Sequence, residues 1–120
     1  MRVAGFGFRK GAGVDSLMAA LTLAGGHVDA LATVAAKSGG LTELGLLLNL
    51  PVIAVPRDRL SARAGSDRVR QLYGTGSVAE ASALAAAGPG AVLVAGRSVS
   101  PDGMAVVAVA KARGEWGVDG

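Results

Sequence analysis

The sequence predicts a single three-layer α/β/α domain built on a mixed five-stranded sheet that is mostly parallel, with the last strand antiparallel. At 120 residues the chain is shorter than the roughly 150 residues expected per domain, so it fits one core. A hydrophobic content of 51% against 18% charged residues favours a folded globular chain. Short apolar runs alternate with longer segments of helical periodicity, which is the pattern of an α/β layer fold.

The first half of the chain alternates strand and helix twice. Leu17, Met18 and Leu21 recur at helical spacing before the pair Gly25-Gly26, which indicates a helix end. Pro51 ends the second helix because its ring clashes with the preceding turn. The predicted elements are a strand at 2–6, a glycine-rich turn at 7–13, a helix at 14–25, a strand at 31–35, a loop at 38–40 and a helix at 42–50.

The second half predicts one more buried strand, helical segments and a hairpin. Residues 52–55 are fully apolar, as in strands inside a parallel sheet. The connection through Pro101-Asp102-Gly103 is too short for a parallel crossover, so the last strand should be antiparallel. The predicted elements are a strand at 52–55, short helical pieces at 57–62 and 66–73, a helix at 77–87, and strands at 91–95 and 104–110. We expect the domain to span residues 1–113 and residues 114–120 to form a flexible tail.

Composition excludes several classes of function. The chain has no cysteine and one histidine, so disulfides, thiolate metal sites and cysteine nucleophiles are impossible, and neither metal nor cofactor is expected. Aromatic residues are only 3%, which argues against single-stranded nucleic-acid binding despite a net charge of +3. Arg9 and Lys10 stand where a signal peptide would need its apolar stretch. No apolar run in the sequence is long enough to span a membrane. We therefore expect a cytoplasmic protein without nucleic-acid or membrane partners.

Cationic residues follow three of the predicted strands. In open α/β sheets the ligand crevice lies beyond the carboxyl ends of the strands. Helix N-termini and glycine-rich turns add positive potential there, so the sequence predicts a ligand with several carboxylates or phosphates. The residues placed at this edge are Arg9, Lys10, Lys37, Ser38, Arg57 and Arg59, together with Thr75, Gly76 and Glu80 at the start of the helix at 77–87.

Gly5, Gly7 and Gly11 invite comparison with a dinucleotide-binding fingerprint. The third glycine comes one residue late, and Lys37 stands near the position of the expected acid. A nucleotide-binding module is therefore kept only as an alternative. The other interpretation is that these glycines form a tight strand-to-helix turn.

Several of these polar residues have both a structural and a functional interpretation. Glu80 is the third residue after Ser77 and fits a capping box, yet a carboxylate at this helix start also suits an acid or base. Lys37 either binds an anion or is solvated. Ser66 is most simply a helix N-cap. His27 has no partner for catalysis or metal binding nearby in the sequence, so no nucleophile triad can be assembled.

Three segments stand out together: GFGFRKG at 5–11, AAKSG at 35–39 and GSVAEASAL at 76–84. In their order and spacing they resemble the CobE family, equivalent to the C-terminal domain of CbiG, from cobalamin biosynthesis. The family's glycine-rich loop is matched by Gly5, Gly7 and Arg9, and its later lysine by Lys37. Its serine ahead of a short helix is matched by Ser66. The likeness spans about residues 2–110.

The resemblance implies a role in building the corrin ring. Precorrins carry many carboxylate side chains, which agrees with the charge argument. We expect the chain to bind or hand on a precorrin-type tetrapyrrole, with other corrin-pathway enzymes as further partners. CbiG is linked to opening the ring A lactone of a cobalt-precorrin, so hydrolysis, with Glu80 as the candidate catalytic residue, is the alternative. The ligand-binding residues expected from the sheet edge and from the resemblance together are Gly5, Gly7, Arg9, Lys10, Lys37, Ser38, Ser66, Thr75, Gly76 and Glu80.

Overall fold

Five strands form one sheet in the order β3-β2-β1-β5-β4 in a computed structural model that describes residues 1–59 and 78–112. The strands are β1 (Arg2–Phe8), β2 (Ala30–Val34), β3 (Val52–Val55), β4 (Val92–Val99) and β5 (Ala105–Lys111). The helices are α1 (Val14–Leu23), α2 (Thr42–Leu48) and α3 (Val78–Ala87), and a 3₁₀ segment covers Ala35–Leu41. The expected helix at 66–73, the end of the helical piece at 57–62 and the tail at 114–120 lie outside the described residues.

Strand directions confirm the predicted mixed sheet. β1 is parallel to β2, and β2 is parallel to β3. β5 is antiparallel to both β1 and β4, so β4 runs in the same direction as the first three strands. The antiparallel strand is therefore not at the edge of the sheet. It lies between β1 and β4, where Phe8 is paired with Ala105 and Arg2 with Lys111.

Helices cover both faces of the sheet, which gives three layers. Successive residues of β1 point to opposite faces. On one face Ala4 and Phe6 belong to a buried cluster with residues of α1 and α2; on the other, Val3 is clustered with residues of α3. At Gly5 an added Cβ atom would lie 2.0 Å from the carbonyl oxygen of Ala79. The small residues therefore allow α3 to lie directly on the backbone of β1.

Two strands are longer than the sequence predicted. β1 continues to Phe8 instead of ending at residue 6, because Gly7 and Phe8 pair with Val106 and Ala105 of β5. β4 continues to Val99 instead of ending at residue 95, with two shifts in its register against β5. The extension of β1 depends on pairing with a strand far along the chain, and that of β4 on hairpin pairing beyond its apolar run, so the apolar runs alone do not reveal them.

The connection from β2 to α2 is also more regular than predicted. Residues 38–40, expected as a loop, lie within the 3₁₀ segment. α2 ends at Leu48 rather than at residue 50, because Asn49 adopts a left-handed conformation with φ of 58° and donates its N–H to the carbonyl of Gly45. Left-handed residues commonly end helices in this way. None of the helices within residues 1–59 and 78–112 has the length and apolar character needed to cross a membrane.

Candidate functional site

The loop that follows β1 carries two exposed cations at the carboxyl edge of the sheet, Arg9 and Lys10. The Ala12 N–H donates to the Arg9 carbonyl at 3.0 Å, and Gly11 has a φ of +92°. A four-residue turn with positive φ at its third position favours glycine there. Gly11 is thus a turn glycine, which explains why the spacing departs from the dinucleotide fingerprint.

Lys37 comes from the neighbouring strand's connection and contacts the end of β1. Its Nζ donates to the carbonyl oxygen of Phe8 and lies 5.1 Å from the centroid of the Phe8 ring. A cation over an aromatic face is attracted by the negative potential of the ring. Beneath this contact, the Thr33 hydroxyl donates to the Phe6 carbonyl at 2.8 Å and ties β2 to β1. The fold therefore brings Lys37 to the strand end that presents Arg9 and Lys10.

The Phe8 ring is held against the 3₁₀ segment. A Cβ atom at Gly40 would lie 2.6 Å from Cε2 of this ring and 2.7 Å from Cζ, so no side chain fits there without moving the ring. Ser38, predicted as a ligand residue, donates its hydroxyl to the carbonyl of Ala35 at 2.9 Å. Its observed bond is local to the segment, and the segment in turn positions Lys37.

A carboxylate that the sequence analysis missed lies at the same edge. Asp102, in the turn between β4 and β5, accepts hydrogen bonds from the Ser100 hydroxyl at 2.6 Å, from the Met104 N–H at 3.0 Å and from the Ser16 hydroxyl. Ser16 lies in the first turn of α1, and both serines are buried. The turn residues were predicted only as a hairpin connection. The contact with Ser16 joins positions 86 apart, and no local pattern reveals it.

These donors stabilise the charged form of Asp102. The Ser100 hydroxyl, then the Ser16 hydroxyl and the Met104 N–H, lower its pKa from the ordinary value of 3.8 to about 2. The carboxylate is therefore ionised throughout the physiological range. It is also a poor general base, because the same hydrogen bonds that favour the anion oppose its protonation.

The remaining predicted site residues lie in different settings. Gly5 is buried in β1 beneath α3, and Gly7 is half-buried in β1 opposite Val106. Glu80 is half-buried in the first turn of α3, which lies toward the carboxyl edge because α3 ends beside the start of β4. Ser66, Thr75, Gly76 and the capping partner Ser77 lie outside the described residues.

One expected member of the cationic edge has a different contact. The guanidinium of Arg59 donates to the carbonyl oxygen of Ala85 in α3 at 2.8 Å. Its charge is thus directed at a helix backbone. Within the parts of the chain that the structure describes, no group of three or more histidine, aspartate or glutamate side chains is arranged to hold a metal ion.

Comparisons with known proteins agree on one family. The family model described as "Cobalamin synthesis G C-terminus" matches residues 2–110. The cobalamin biosynthesis protein chiG from Agrobacterium tumefaciens is 38% identical, with a TM-score of 0.71 over 94% of this chain and 99% of that one. CobE, from the cobalamin (vitamin B12) biosynthetic pathway, is 31% identical, with a TM-score of 0.75 over 92% and 89%. Among curated proteins, no significant match is found.

Proposed function

Because the chain belongs to the cobalamin biosynthesis family of the CbiG C-terminus and CobE, we propose that it binds a precorrin-type polycarboxylate tetrapyrrole at the carboxyl edge of its sheet. In this role the protein holds an intermediate of corrin assembly and hands it to another enzyme of the same pathway. The proposal concerns binding, with Arg9, Lys10 and Lys37 as the residues that meet the ligand carboxylates.

The observation that carries this proposal is the contact of Lys37 with Phe8, the last residue of β1. The Lys37 ammonium gives one donor to the Phe8 carbonyl and is held over the Phe8 ring, yet the side chain is exposed. An ammonium has three N–H donors, so the others remain available to a carboxylate. Arg9 and Lys10 follow directly on the strand that carries Phe8. Three cations on two adjacent loops suit a ligand that bears carboxylates around a ring.

Hydrolysis of a precorrin lactone has weaker support in this geometry. A hydrolase needs a base that can take a proton from water, and a base works best when its pKa is near the working pH. Asp102 does not meet that requirement, because its hydrogen bonds lower its pKa to about 2. Glu80 is left as the candidate base, and its test is separate from that of binding.

The test of binding uses uroporphyrin, an octacarboxylate tetrapyrrole, with its octamethyl ester as the uncharged control. Absorbance and fluorescence titration should show binding of the acid and much weaker binding of the ester. Arg9→Ala and Lys37→Ala should each weaken binding about tenfold to a hundredfold, the loss of one charge-assisted hydrogen bond. Arg2→Ala is the matched control, because Arg2 is an exposed cation at the opposite end of β1. Equal affinity in all four proteins would contradict the proposal.

The test of hydrolysis is an anaerobic incubation with a lactone-bearing cobalt-precorrin. Release of a small aldehyde, with the matching change in product mass, would favour the hydrolase alternative. Loss of that product in Glu80→Gln, with tetrapyrrole binding retained, would assign the carboxylate a chemical role. An unchanged substrate mass together with tight binding supports the carrier role.

A further inference from the structure

Residues 102–104 contact both ends of the Arg9–Gly13 loop, which follows β1 and carries Arg9 and Lys10. At the first end, the Arg9 N–H donates to the Met104 carbonyl at 2.9 Å. At the far end the loop enters α1, where the Ser16 hydroxyl donates to Asp102. Asp102 is itself joined to Met104, whose N–H it accepts at 3.0 Å. One carboxylate therefore connects the two ends of the loop that presents Arg9 and Lys10.

The hairpin turn does not need the contact with Ser16 in order to close. The Ser100 N–H donates to the Ala105 carbonyl at 2.8 Å, and the Gly103 N–H donates to the Ser100 carbonyl at 2.9 Å. One oxygen of Asp102, Oδ1, accepts from Ser100 and Met104 within the turn. The other oxygen, Oδ2, contacts Ser16 of α1. The two oxygens thus have separate tasks, one within the turn and one that joins the turn to the helix.

Among the residues that the structure describes, the loop has few further contacts besides the bond from the Ala12 N–H to the Arg9 carbonyl. Gly11 and Ala12 connect Lys10 to Gly13, which is the N-cap of α1 and, as a glycine, has no side chain to cap the helix. At Gly11 and at Gly13 an added Cβ atom would meet no atom of residues 1–59 or 78–112 within 4 Å, so this part of the chain leaves the loop open at both positions. Such a segment gains order from the residues that hold its ends.

We infer that Asp102 is a positioning residue, which holds the Arg9–Gly13 loop through Ser16 and Met104 in the conformation that binds a polyanion. This inference rests on the proposed function for its ligand. It predicts that the Ser16–Asp102 contact contributes to affinity although neither side chain need touch the ligand. Preorganised loops bind more tightly because less conformational entropy is lost on binding.

Ser16→Ala is the variant of choice, because it removes the contact between α1 and the turn and leaves the other bonds of Asp102 in place. Thr22→Ala is the matched control: it deletes a hydroxyl from the same helix whose bond, to the Met18 carbonyl at 2.9 Å, is local. The first measurement needs no ligand. Trypsin cleaves after arginine and lysine, so the rate of cleavage after Arg9 and Lys10 reports on loop opening, with thermal unfolding as the control for global stability. We expect roughly threefold to tenfold faster cleavage in Ser16→Ala and an unchanged rate in Thr22→Ala.

The second measurement is uroporphyrin affinity in a double-mutant cycle with Arg9→Ala. Ser16→Ala should weaken binding by roughly threefold to tenfold, and its effect should shrink once Arg9 is absent, since the loop then has less to position. Unchanged cleavage in Ser16→Ala overturns the inference whatever the affinity. If Ser16→Ala is cleaved faster but binds uroporphyrin as the wild type does, the contact has no role in binding. The same holds if its effect on affinity simply adds to that of Arg9→Ala. If the wild-type protein itself fails to bind uroporphyrin, the proposed function fails, and the cleavage rates alone decide whether the loop is held by this contact.

Discussion

The guanidinium of Arg59 donates a hydrogen bond of 2.8 Å to the main-chain carbonyl oxygen of Ala85. Four residues beyond Ala85 stands Pro89, which has no N–H to offer that carbonyl. α3 ends at Ala87, and Gly88 follows in a left-handed conformation with φ of 100°. Arg59 therefore supplies a donor that the backbone of α3 lacks at its end. It also links the segment after β3 to the helix on one face of the sheet.

Replacing Arg59 should lower stability and leave ligand binding intact. Arg59→Met keeps most of the aliphatic stem but removes the donor, so the free energy of unfolding should fall by about 1 kcal/mol, since this side chain is largely exposed. Urea denaturation gives the stability, and uroporphyrin titration gives the affinity. Arg9→Ala should show the opposite pattern, with weaker binding and unchanged stability. Weaker uroporphyrin binding in Arg59→Met, with unchanged stability, would instead indicate that Arg59 contacts the ligand.

Gly5 lies where helix and strand backbones meet, and alanine should be severely destabilising there. Its Cβ atom would lie 2.0 Å from the Ala79 carbonyl oxygen and 2.6 Å from the Ala83 nitrogen. Both are backbone atoms, so α3 as a whole must shift away from β1. We expect Gly5→Ala to cost more than about 3 kcal/mol or to prevent folding.

Gly96 in β4 provides the comparison for Gly5. An added Cβ atom there meets no atom of the described residues within 4 Å. Gly96→Ala should therefore change stability by less than about 1 kcal/mol, with thermal unfolding as the measurement. Similar stability of the two variants would show that α3 yields easily, in contradiction to the close contact.

The order and type of the elements could be predicted from the sequence because they depend on local patterns. Val52–Val55 lies between two prolines and is apolar throughout, and it forms β3 with the predicted bounds. The prediction that this strand is buried inside the sheet is wrong, because β3 is an edge strand in which Val55 alone is buried. The short connection through Asp102 implied an antiparallel last strand, which the sheet confirms. The position of β5 between β1 and β4 could not be predicted in this way. The short connection only requires β5 to lie beside β4, and it does not say which of the two strands lies next to β1.

The candidate site likewise has residues that local patterns predict and residues that only the folded arrangement reveals. Arg9, Lys10 and Lys37 were predicted from their place after strands, and the structure brings Lys37 to the end of β1. The roles of Ser16 and Asp102 depend on a contact between distant parts of the chain. A serine in the first turn of a helix and an aspartate in a Pro-Asp-Gly turn are each explained locally. Only the folded arrangement shows that they meet.

Gly40 and Gly39 are neighbours in the 3₁₀ segment, yet alanine should affect them differently. A Cβ atom at Gly40 would lie 2.6 Å from an atom of the Phe8 ring, whereas at Gly39 it would meet nothing within 4 Å in the part of the chain that the structure describes. Gly40→Ala must displace the ring over which Lys37 lies. We expect it to weaken uroporphyrin binding about threefold to tenfold, while Gly39→Ala binds as the wild type does.

NMR shifts of the Phe8 ring protons would show whether the ring moves in Gly40→Ala. Equal affinity in the two variants, with a displaced ring in one of them, would mean that the Phe8–Lys37 arrangement does not contribute to binding. Reduced affinity in Gly39→Ala as well would instead assign the effect to the backbone of the 3₁₀ segment.

The stability of the protein should depend on the ionisation of Asp102. Hydrogen bonds from Ser100, Ser16 and Met104 lower its pKa to about 2 in the folded state. A carboxylate whose pKa is depressed by folding stabilises the native state above its unfolded pKa of about 4, and this contribution is lost as the pH falls through the folded value. Asp102→Asn should therefore be less stable than the wild type near neutral pH. The difference should narrow as the pH is lowered from about 4 toward about 2.

Ser100→Ala distinguishes the effect of the Asp102 charge from that of the hydrogen bonds around it. This variant keeps the carboxylate but removes the hydrogen bond that contributes most to the lowered pKa, so the folded pKa moves back toward the unfolded value. The acid-induced loss of stability begins near the unfolded pKa of about 4 in both proteins, but in Ser100→Ala it should be smaller and should be complete at a higher pH than in the wild type. Urea denaturation across the acid range, followed by far-UV circular dichroism, measures all three proteins. A stability difference between the wild type and Asp102→Asn that stays constant across this range would show that the residue acts through its shape and neutral hydrogen bonds. In that case the positioning of α1 by the turn would not require a charged side chain.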